Sequence, residues 1–273
     1  MNYSTDRPIE KEEQDLLGRA TFSKRLGQTI YEYDFQSGLV IGVFGKWGSG
    51  KTSVINMASA EIEKLAKNDK NKPIIFRFSP WNFSDKDNLI SLFFENLKNK
   101  LEIQSDERLK RNVGKALHDY AGALDVLAIV PVIGSGMAAI IKTIMQAEGS
   151  SLMEIPDLEK TRKKLEEELI KSEKKIIIII DDIDRLTNSQ IRDIFQLVKQ
   201  VADFPNIIYV LSMDRDVVSN ALAGVHNIDG NEYLEKIIQV PFELPDLRKS
   251  KLKKIFLTKI DETITKRLAV CVC

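Results

Sequence analysis

Gly45, Gly50, Lys51 and Thr52 lie at the spacing G-x-x-x-x-G-K-[ST], and a third glycine, Gly48, lies between them. Glycines allow a backbone to turn tightly with its N–H groups facing inward, and the positive end of a following helix strengthens the attraction for an anion. In such a loop the lysine, here Lys51, reaches the β- and γ-phosphates of a nucleotide, and the threonine hydroxyl, here Thr52, binds Mg²⁺. The residues predicted to bind phosphate are Gly45, Lys46, Trp47, Gly48, Ser49, Gly50, Lys51, Thr52 and Ser53.

The segments around this loop decide whether it can hold a phosphate. An apolar run, Leu39–Phe44, comes before it and predicts a buried strand, while Ser53–Ala66 after it has helical character. Strand, loop and helix in this order are the context that the motif requires. A glycine-rich turn without a ligand is the alternative, and the flanking elements make it the weaker one. Further upstream, apolar residues at helical spacing predict an amphipathic helix over Asp15–Tyr33, with a break near Thr21 as the alternative.

A second group of polar residues follows the five consecutive isoleucines Ile176–Ile180. A short, continuous β-branched run predicts a strand that is buried on both faces of a parallel sheet. Asp181, directly after the strand, is predicted to bind Mg²⁺, and Asp182 beside it to be the general base that polarises the attacking water. Lys51 and Asp182 are thus the predicted catalytic residues. The alternative is that the acids cap the next helix, with Asp184 in that role.

The next predicted strand, Ile207–Leu211, ends close to further candidates. Ser212 and Asp214 could sense the γ-phosphate of a bound nucleotide. Arg185 or Arg215 could stabilise charge in the transition state, in cis or across a subunit boundary. Surface salt bridges are an equally good interpretation of both arginines. The sequence contains no Asn-Lys-x-Asp motif, which would specify guanine, so ATP is predicted rather than GTP.

Composition narrows the class of protein. The chain has 273 residues, of which 43% are hydrophobic, so it can bury a core of its own. Forty basic residues balance forty acidic ones, and this zero net charge argues against nucleic acid as a partner. Residues 1–13 lack the apolar core of a signal peptide. Cysteines occur only at Cys271 and Cys273, which favours a reducing, cytoplasmic setting.

An apolar segment at 121–147 raises the question of a membrane contact. Its uncharged centre, Val126–Ile141, is 16 residues long, whereas a membrane-spanning helix needs about 20. Pro131, Gly134 and Gly136 also interrupt it. A helical hairpin buried in protein is therefore favoured, and a hairpin that dips into the inner surface of a membrane is the alternative.

With these features together, the sequence resembles the KAP family of P-loop NTPases, which place an acidic residue next to the Walker B aspartate. The resemblance covers residues 6–245 and depends on several stretches that occur in order. They are Asp6–Pro8 with Asp15–Arg19, the glycine loop Gly45–Ser53, Phe78–Trp81, Asp181–Arg185 and Tyr233–Gln239. The glycine loop alone is common to many nucleotide-binding proteins, whereas the ordered set is more specific.

The resemblance implies an α/β fold, a P-loop NTPase with a parallel five-stranded sheet in the order 5-1-4-3-2, flanked by helices. It also implies a helical insertion between the Walker A and Walker B motifs. We expect an N-terminal lead-in and helix at 1–38, the Walker A half at 39–97, the insertion at 98–175, the Walker B half at 176–245 and an amphipathic C-terminal helix at 246–273. Because the family usually continues beyond its core, the end of this sequence suggests truncation or a lost effector region.

For function, the resemblance implies Mg²⁺-dependent binding and hydrolysis of ATP that works a conformational switch. Bacterial relatives are linked to phage exclusion and animal relatives are membrane signalling scaffolds, so phage defence is one expectation. A nucleotide-gated scaffold or membrane-associated adaptor with little turnover is the alternative. The expected partners are ATP, Mg²⁺ and a protein, which could be a second copy of the chain, and a membrane contact would run through 121–147.

Overall fold

The fold is that of a computed structural model of the chain. The structure describes residues 7–33, 37–83, 89–104, 107–128, 157–201, 203–223, 229–246, 252–253, 255–258, 260–261 and 264. Most of the apolar segment at 121–147 therefore lies outside the described residues, and so does the start of the motif at Asp6.

A five-stranded parallel sheet forms the centre of the molecule. Its strands are β1 Leu39–Phe44, β2 Ile74–Phe78, β3 Ile176–Ile180, β4 Ile207–Met213 and β5 Val240–Glu243. They lie in the order β2-β3-β4-β1-β5, which is the predicted order 5-1-4-3-2 counted from the opposite edge. The predicted fold class is confirmed, and β4 separates the two strands that carry the Walker motifs.

Burial explains which strand lies where. Every residue of β1, β3 and β4 is buried, as expected for central strands of a parallel sheet, whose sequences are continuous apolar runs. The edge strands β2 and β5 instead alternate between more and less buried residues. β5 also contains Pro241, which an edge strand tolerates because one side of its backbone makes no ladder hydrogen bonds.

Helices cover both faces of the sheet. They are α1 Ala20–Glu32, α2 Lys51–Leu65, α3 Leu89–Gln104, α4 Glu107–Ala128, α5 Leu158–Ser172, α6 Asn188–Gln196, α7 Arg215–Leu222 and α8 Gly230–Ile237. Short 3-10 turns, Pro80–Phe83 and Ile183–Arg185, follow β2 and β3 at the edge where these strands end. The described residues between 252 and 264 are helical as well, and several of their apolar side chains are exposed.

Two apolar cores fill the space between the helices and the sheet. On one face, α1 and α2 pack over central-strand residues such as Ile177 and Val210. On the other face, α3 to α8 cover a larger core. Within this core Phe93 meets Phe94, and Phe94 meets Tyr120, edge to face with ring centroids 5.2 and 5.6 Å apart. Packing on both faces fixes the positions of the loops at the carboxyl edge of the sheet.

The helices of the predicted insertion at 98–175 pack on the same core as the sheet. α3 runs without a break across the expected boundary at 98, and α4 buries Tyr120 in the larger core. Residues 121–128, the part of the apolar segment that the structure describes, form the last turns of α4. No helix among the described residues is both long and apolar enough to cross a bilayer. The division of the chain into five regions stays a prediction.

Candidate nucleotide-binding site

The glycine loop leaves β1 at the carboxyl edge of the sheet. Its first residue, Gly45, continues the sheet, with its N–H donating to the Met213 carbonyl at 3.1 Å. A side chain at Gly45 would place a Cβ 2.6 Å from the Ser49 hydroxyl, so glycine fits where other residues clash. Gly48 and Gly50 have φ values of +74° and +91°, which glycine adopts without strain. The loop is thus a tight turn that ends at the N-terminus of α2.

Lys51, the first residue of α2, is folded back beneath the loop. Its Nζ donates to the Gly45 carbonyl at 2.9 Å and lies 3.2 Å from Asp184 Oδ2. Both side chains of this ion pair are buried, with 8% of Lys51 and 3% of Asp184 exposed. The lysine of the loop and the acidic turn after β3 therefore meet directly, although 133 positions separate them in sequence.

Thr52 and Ser53 occupy the first turn of α2 and have different surroundings. Thr52 is half-buried beside Lys51. The Ser53 hydroxyl accepts a hydrogen bond from the Ile9 N–H at 3.2 Å, and Asn56 Nδ2 donates to the Ile9 carbonyl at 3.0 Å. Ser53 therefore helps to fasten the N-terminal segment to α2, and a contact between Ser53 and phosphate stays a prediction.

Asp181 and Asp182 follow β3 at the same edge of the sheet as the glycine loop. Asp181 is 8% exposed, and its Oδ1 accepts a hydrogen bond from the Asp182 N–H at 2.8 Å. Asp182 has a left-handed φ of 58°, which directs the chain into the turn Ile183–Arg185. Its Oδ1 lies 3.0 Å from Arg185 Nε. The predicted general base is thus held in an ion pair by one of the two candidate arginines.

Burial raises the pKa of the Asp182 carboxyl above its ordinary value, and the negative charge of Asp181 raises it further. Arg185 opposes this shift, Asp184 adds to it, and Lys51 opposes it more weakly. The net direction is upward, so Asp182 holds a proton more readily than an exposed aspartate does. A carboxylate with a raised pKa takes a proton from water more readily, which is what the predicted role of Asp182 requires.

Arg185 also connects the acidic turn to the tip of the glycine loop. Its guanidinium lies 5.1 Å from the centroid of the Trp47 ring, within the range of a cation–π interaction. Trp47 itself is 67% exposed. Together with the pair of Lys51 and Asp184, this contact is the second one that joins the loop to the turn.

The candidates at the end of β4 have three different environments. The Ser212 hydroxyl is fully buried and has no hydrogen-bond partner among the described residues. Asp214 caps α7 through its side chain. Arg215 lies over the Phe44 ring at 4.1 Å and pairs with Glu243 at 2.7 Å. Of the two candidate arginines, Arg185 therefore lies at the acidic turn, and Arg215 lies on the β5 side of the loop.

An open cleft of about 480 Å³ adjoins the glycine loop on its β5 side. The N-terminus of α1, the loop and the segments after β4 and β5 form its walls. The lining residues are Arg19, Phe44–Ser49, Asp214–Asp216 and Glu243–Asp246. Small-molecule sites in proteins have volumes of about 300–1,000 Å³, so the cleft is large enough for part of a nucleotide.

The loop and the acidic turn fit a nucleotide with Mg²⁺. Ser49 Oγ and Asp184 Oδ1 are buried without a hydrogen-bond partner among the described residues, so both need one from outside. A Cβ at Gly48 or Gly50 would meet nothing within 4 Å, so the loop borders open space. The described residues contain no group of three or more His, Cys, Asp or Glu side chains arranged for a metal. In nucleotide sites Mg²⁺ takes phosphate oxygens and water besides one or two protein ligands, and the Thr52 hydroxyl and Asp181 carboxylate are ligands of that kind.

Comparison with known proteins assigns the chain to a family. A sequence model described as the KAP family P-loop domain matches residues 19–269. The chain belongs to the KAP family. This confirms the membership that the ordered motifs predict, and the sheet order of the KAP domain agrees with it.

The KAP domain is also similar to a curated bacterial protein, the phage T7 exclusion protein of Escherichia coli strain K12. The two are 28% identical over 260 residues, which cover 88% of this chain and 34% of the relative. The chain thus spans about a third of the length of that relative.

Solved structures show a more distant similarity. The ORC2 protein of Aeropyrum pernix matches with a TM-score of 0.45 and 11% identity, over 89% of this chain and 51% of the ORC2 chain. Cdc6p of Pyrobaculum aerophilum matches with a TM-score of 0.47 and 11% identity, over 93% of this chain and 51% of the Cdc6p chain.

Asp184 contacts the glycine loop, although the sequence pattern indicates a different position for its side chain. The alternative that Asp184 caps the next helix is wrong, because Thr187 caps α6 by accepting from the Gln190 N–H. Asp184 instead pairs with Lys51. Asp184 follows Asp181 by three residues, and this spacing indicates that the two carboxylates lie at the same edge of the sheet. No pattern in the neighbouring sequence indicates that Asp184 pairs with the glycine loop.

Proposed function

We propose that this KAP domain binds ATP with Mg²⁺ and hydrolyses it, and that its nucleotide states differ in the position of the acidic turn. The buried ion pair of Lys51 and Asp184 is the observation that carries the proposal, because it joins the phosphate-binding loop to that turn. A phosphate that binds Lys51 competes with the Asp184 carboxylate for the same ammonium. Binding in the loop is therefore transmitted to the residues after β3.

Each residue of the loop has a defined part in this proposal. The backbone N–H groups of the loop and the N-terminus of α2 bind the phosphates, and Lys51 adds a positive charge. The Thr52 hydroxyl and the Asp181 carboxylate would hold Mg²⁺. When bound, Mg²⁺ neutralises phosphate charge and stabilises the charge that develops as the terminal phosphoryl group is transferred.

Asp182 has the role of general base in this proposal. Its raised pKa supports proton transfer from water, but its ion pair with Arg185 at 3.0 Å occupies the carboxylate. A γ-phosphate near the acidic turn attracts the Arg185 guanidinium and so frees Asp182 for the water. Arg185 would then stabilise charge on the phosphate, so that base activation depends on a bound triphosphate.

The ion pair of Arg185 and Asp182 also supports a second candidate function. If Arg185 stays on Asp182, the domain binds ATP but turns it over slowly, and it works as a nucleotide-gated scaffold or membrane-associated adaptor. In either case the readout is a protein partner, which could be a second copy of the chain. Similarity to the phage T7 exclusion protein supports phage exclusion as the role of the protein that contains this domain.

ATP turnover with Mg²⁺ decides between these functions. We expect Lys51→Ala and Asp182→Asn to abolish turnover, while the control variants Lys64→Ala and Asp203→Asn, which make the same charge changes at exposed positions, retain it. Wild-type protein that binds ATP without turnover would favour the scaffold. Wild-type protein that binds no nucleotide would contradict both functions.

Phage exclusion is tested in cells by plating efficiency. Cells that produce the wild-type protein should reduce the plating of a sensitive phage, and cells that produce Lys51→Ala should not. Equal exclusion by both proteins would show that nucleotide binding in this loop is not required for the effect.

A further inference from the structure

Arg19 is a buried cation with no place in the phosphate chemistry described above. It lies at the N-terminus of α1 and is 6% exposed, yet it lines the 480 Å³ cleft beside the glycine loop. Its Nε is buried without a hydrogen-bond partner among the described residues. Buried polar groups in proteins are nearly always hydrogen-bonded, so this donor indicates a ligand that enters the cleft.

The acidic residues near Arg19 do not complete its hydrogen bonding. Burial lowers the pKa of Arg19, and the negative charges of Asp15 and Asp246 oppose that shift. The Asp15 oxygens accept from the N–H groups of Leu17 at 3.0 Å and Ala20 at 2.8 Å, and the Nε of Arg19 has no bond to them. Asp246 is exposed and lines the same cleft. One end of the cleft therefore carries a donor group and an acceptor group that face a shared space.

The position of the cleft relates this pair of groups to a nucleotide. The phosphates belong at the N-terminus of α2, and the acidic turn with Lys51 and Asp184 occupies one side of the loop. The cleft opens on the other, β5 side, with Leu244 and Pro245 as its apolar wall. A nucleotide with its phosphates in the loop would have room for its sugar and base in this cleft, toward Arg19.

We propose that Arg19 and Asp246 form a base-reading subsite for adenine, in which the Arg19 guanidinium donates to ring nitrogen N7 and the Asp246 carboxylate accepts from the N6 amino group. Adenine presents this acceptor and donor side by side, whereas guanine presents two acceptors, N7 and O6, on the same edge. The carboxylate would repel guanine O6. The subsite rests on the proposed nucleotide binding and gives it a reason to prefer ATP over GTP.

Isothermal titration with ADP, 7-deaza-ADP, GDP and pyrophosphate tests the subsite. The wild-type protein needs no substitution for the first comparison, since 7-deaza-ADP lacks only the N7 acceptor. We expect it to bind about 10-fold more weakly than ADP, as for the loss of one hydrogen bond to a charged group. Pyrophosphate, which carries no base, reports on the loop alone.

Variants assign the effect to named residues. Arg19→Gln should weaken ADP about 10-fold and leave pyrophosphate affinity unchanged, and it should bind ADP and 7-deaza-ADP equally. Asp246→Asn should reduce the preference for ADP over GDP. Arg25→Gln, on the exposed face of α1, is the matched control.

The outcomes separate this proposal from the one it rests on. If wild-type protein binds neither ADP nor pyrophosphate, the proposed nucleotide binding fails and the subsite fails with it. If both bind and 7-deaza-ADP binds as tightly as ADP, the subsite alone is overturned. Equal losses of ADP and pyrophosphate affinity in Arg19→Gln would instead assign Arg19 to the phosphates and also overturn base reading.

Discussion

The acidic turn contains residues of two ion pairs, and these pairs differ in burial. Lys51 and Asp184 are 8% and 3% exposed, whereas Arg185 and Asp182 are 38% and 29% exposed. A buried pair depends strongly on both partners, because removing one leaves a charge without compensation. A half-exposed pair is weaker and opens at little cost. The buried pair therefore holds the turn until a phosphate gives Lys51 another anion, whereas the half-exposed pair opens at little cost.

The substitution Asp184→Asn tests the buried pair. It preserves side-chain size but leaves Lys51 without a counter-charge, so we expect the unfolding free energy to fall by about 3 kcal/mol. Pyrophosphate supplies the missing negative charge, so it should stabilise this variant more than the wild type. Urea unfolding with and without pyrophosphate measures both effects, with Asp203→Asn as the exposed control. A variant as stable as the wild type would mean that the pair contributes little.

The raised pKa of Asp182 predicts a pH-dependent cost to stability. In the folded state Asp182 binds a proton more tightly than in the unfolded state, so stability falls as pH rises from the unfolded pKa of about 3.9 through the folded one. Asp182→Asn removes this cost. The variant should therefore gain stability relative to the wild type at pH 7, and the gain should shrink below pH of about 4.

Urea unfolding at several pH values measures this difference. Asparagine also accepts the left-handed φ of 58° at this position, which adds a contribution that does not vary with pH. The pH-dependent part alone reports the carboxylate. If the gain is the same at pH 3 and pH 7, the charge of Asp182 is not what destabilises the fold. A variant that is more stable and inactive would place Asp182 among residues kept for function at a cost in stability.

At the scale of elements, strands could be predicted more closely than helix ends. β3 has the bounds that the isoleucine run indicates, because a short, continuous β-branched run is typical of a strand buried on both faces. α1 was predicted to begin at Asp15 but begins at Ala20. The Asp15 carboxylate accepts from the N–H groups of Leu17 and Ala20 and so holds a turn in front of the helix. Hydrophobic spacing does not contain this information, since it records burial and not side-chain acceptors.

A glycine-to-alanine substitution is expected to change stability in opposite directions at Gly27, where α1 packs against α2, and at Gly122 in α4. A Cβ at Gly27 would lie 2.8 Å from the Ala58 carbonyl oxygen, so Gly27→Ala should push the helices apart and lower stability by about 1–3 kcal/mol. A Cβ at Gly122, on the exposed face of α4, would meet nothing within 4 Å. Gly122→Ala should therefore raise stability by about 0.5–1 kcal/mol, the helix preference of alanine over glycine.

Thermal unfolding of both variants checks this pair. Each makes the same chemical change inside a helix, so a difference in sign isolates packing from helix propensity. A stabilising effect of Gly27→Ala would show that α1 and α2 can separate without loss, and the close contact would then not hold α1 in place beside the glycine loop.

At the scale of the whole molecule, the site joins parts that the sequence keeps far apart. The glycine loop and the acidic turn each have a local pattern, so each could be predicted by itself. Their contact through Lys51 and Asp184 depends on the sheet order, which places β4 between their two strands. That order could be predicted only from the resemblance to the KAP family. The cleft at Arg19 depends on where α1 packs, and no pattern in the sequence indicates it.

Amide hydrogen exchange tests whether the two parts respond as one unit. In Asp182→Asn, which is expected to bind ATP with Mg²⁺ without hydrolysing it, exchange should slow in the loop Gly45–Thr52 and should also change in the turn 181–186. The turn responds because Lys51 passes from Asp184 to phosphate while Asp181 takes a role at Mg²⁺. Lys51→Ala should lose the response in both segments. Slower exchange in the loop alone would contradict the switch and leave nucleotide binding intact, because the loop would then bind phosphate without moving the residues that read it out.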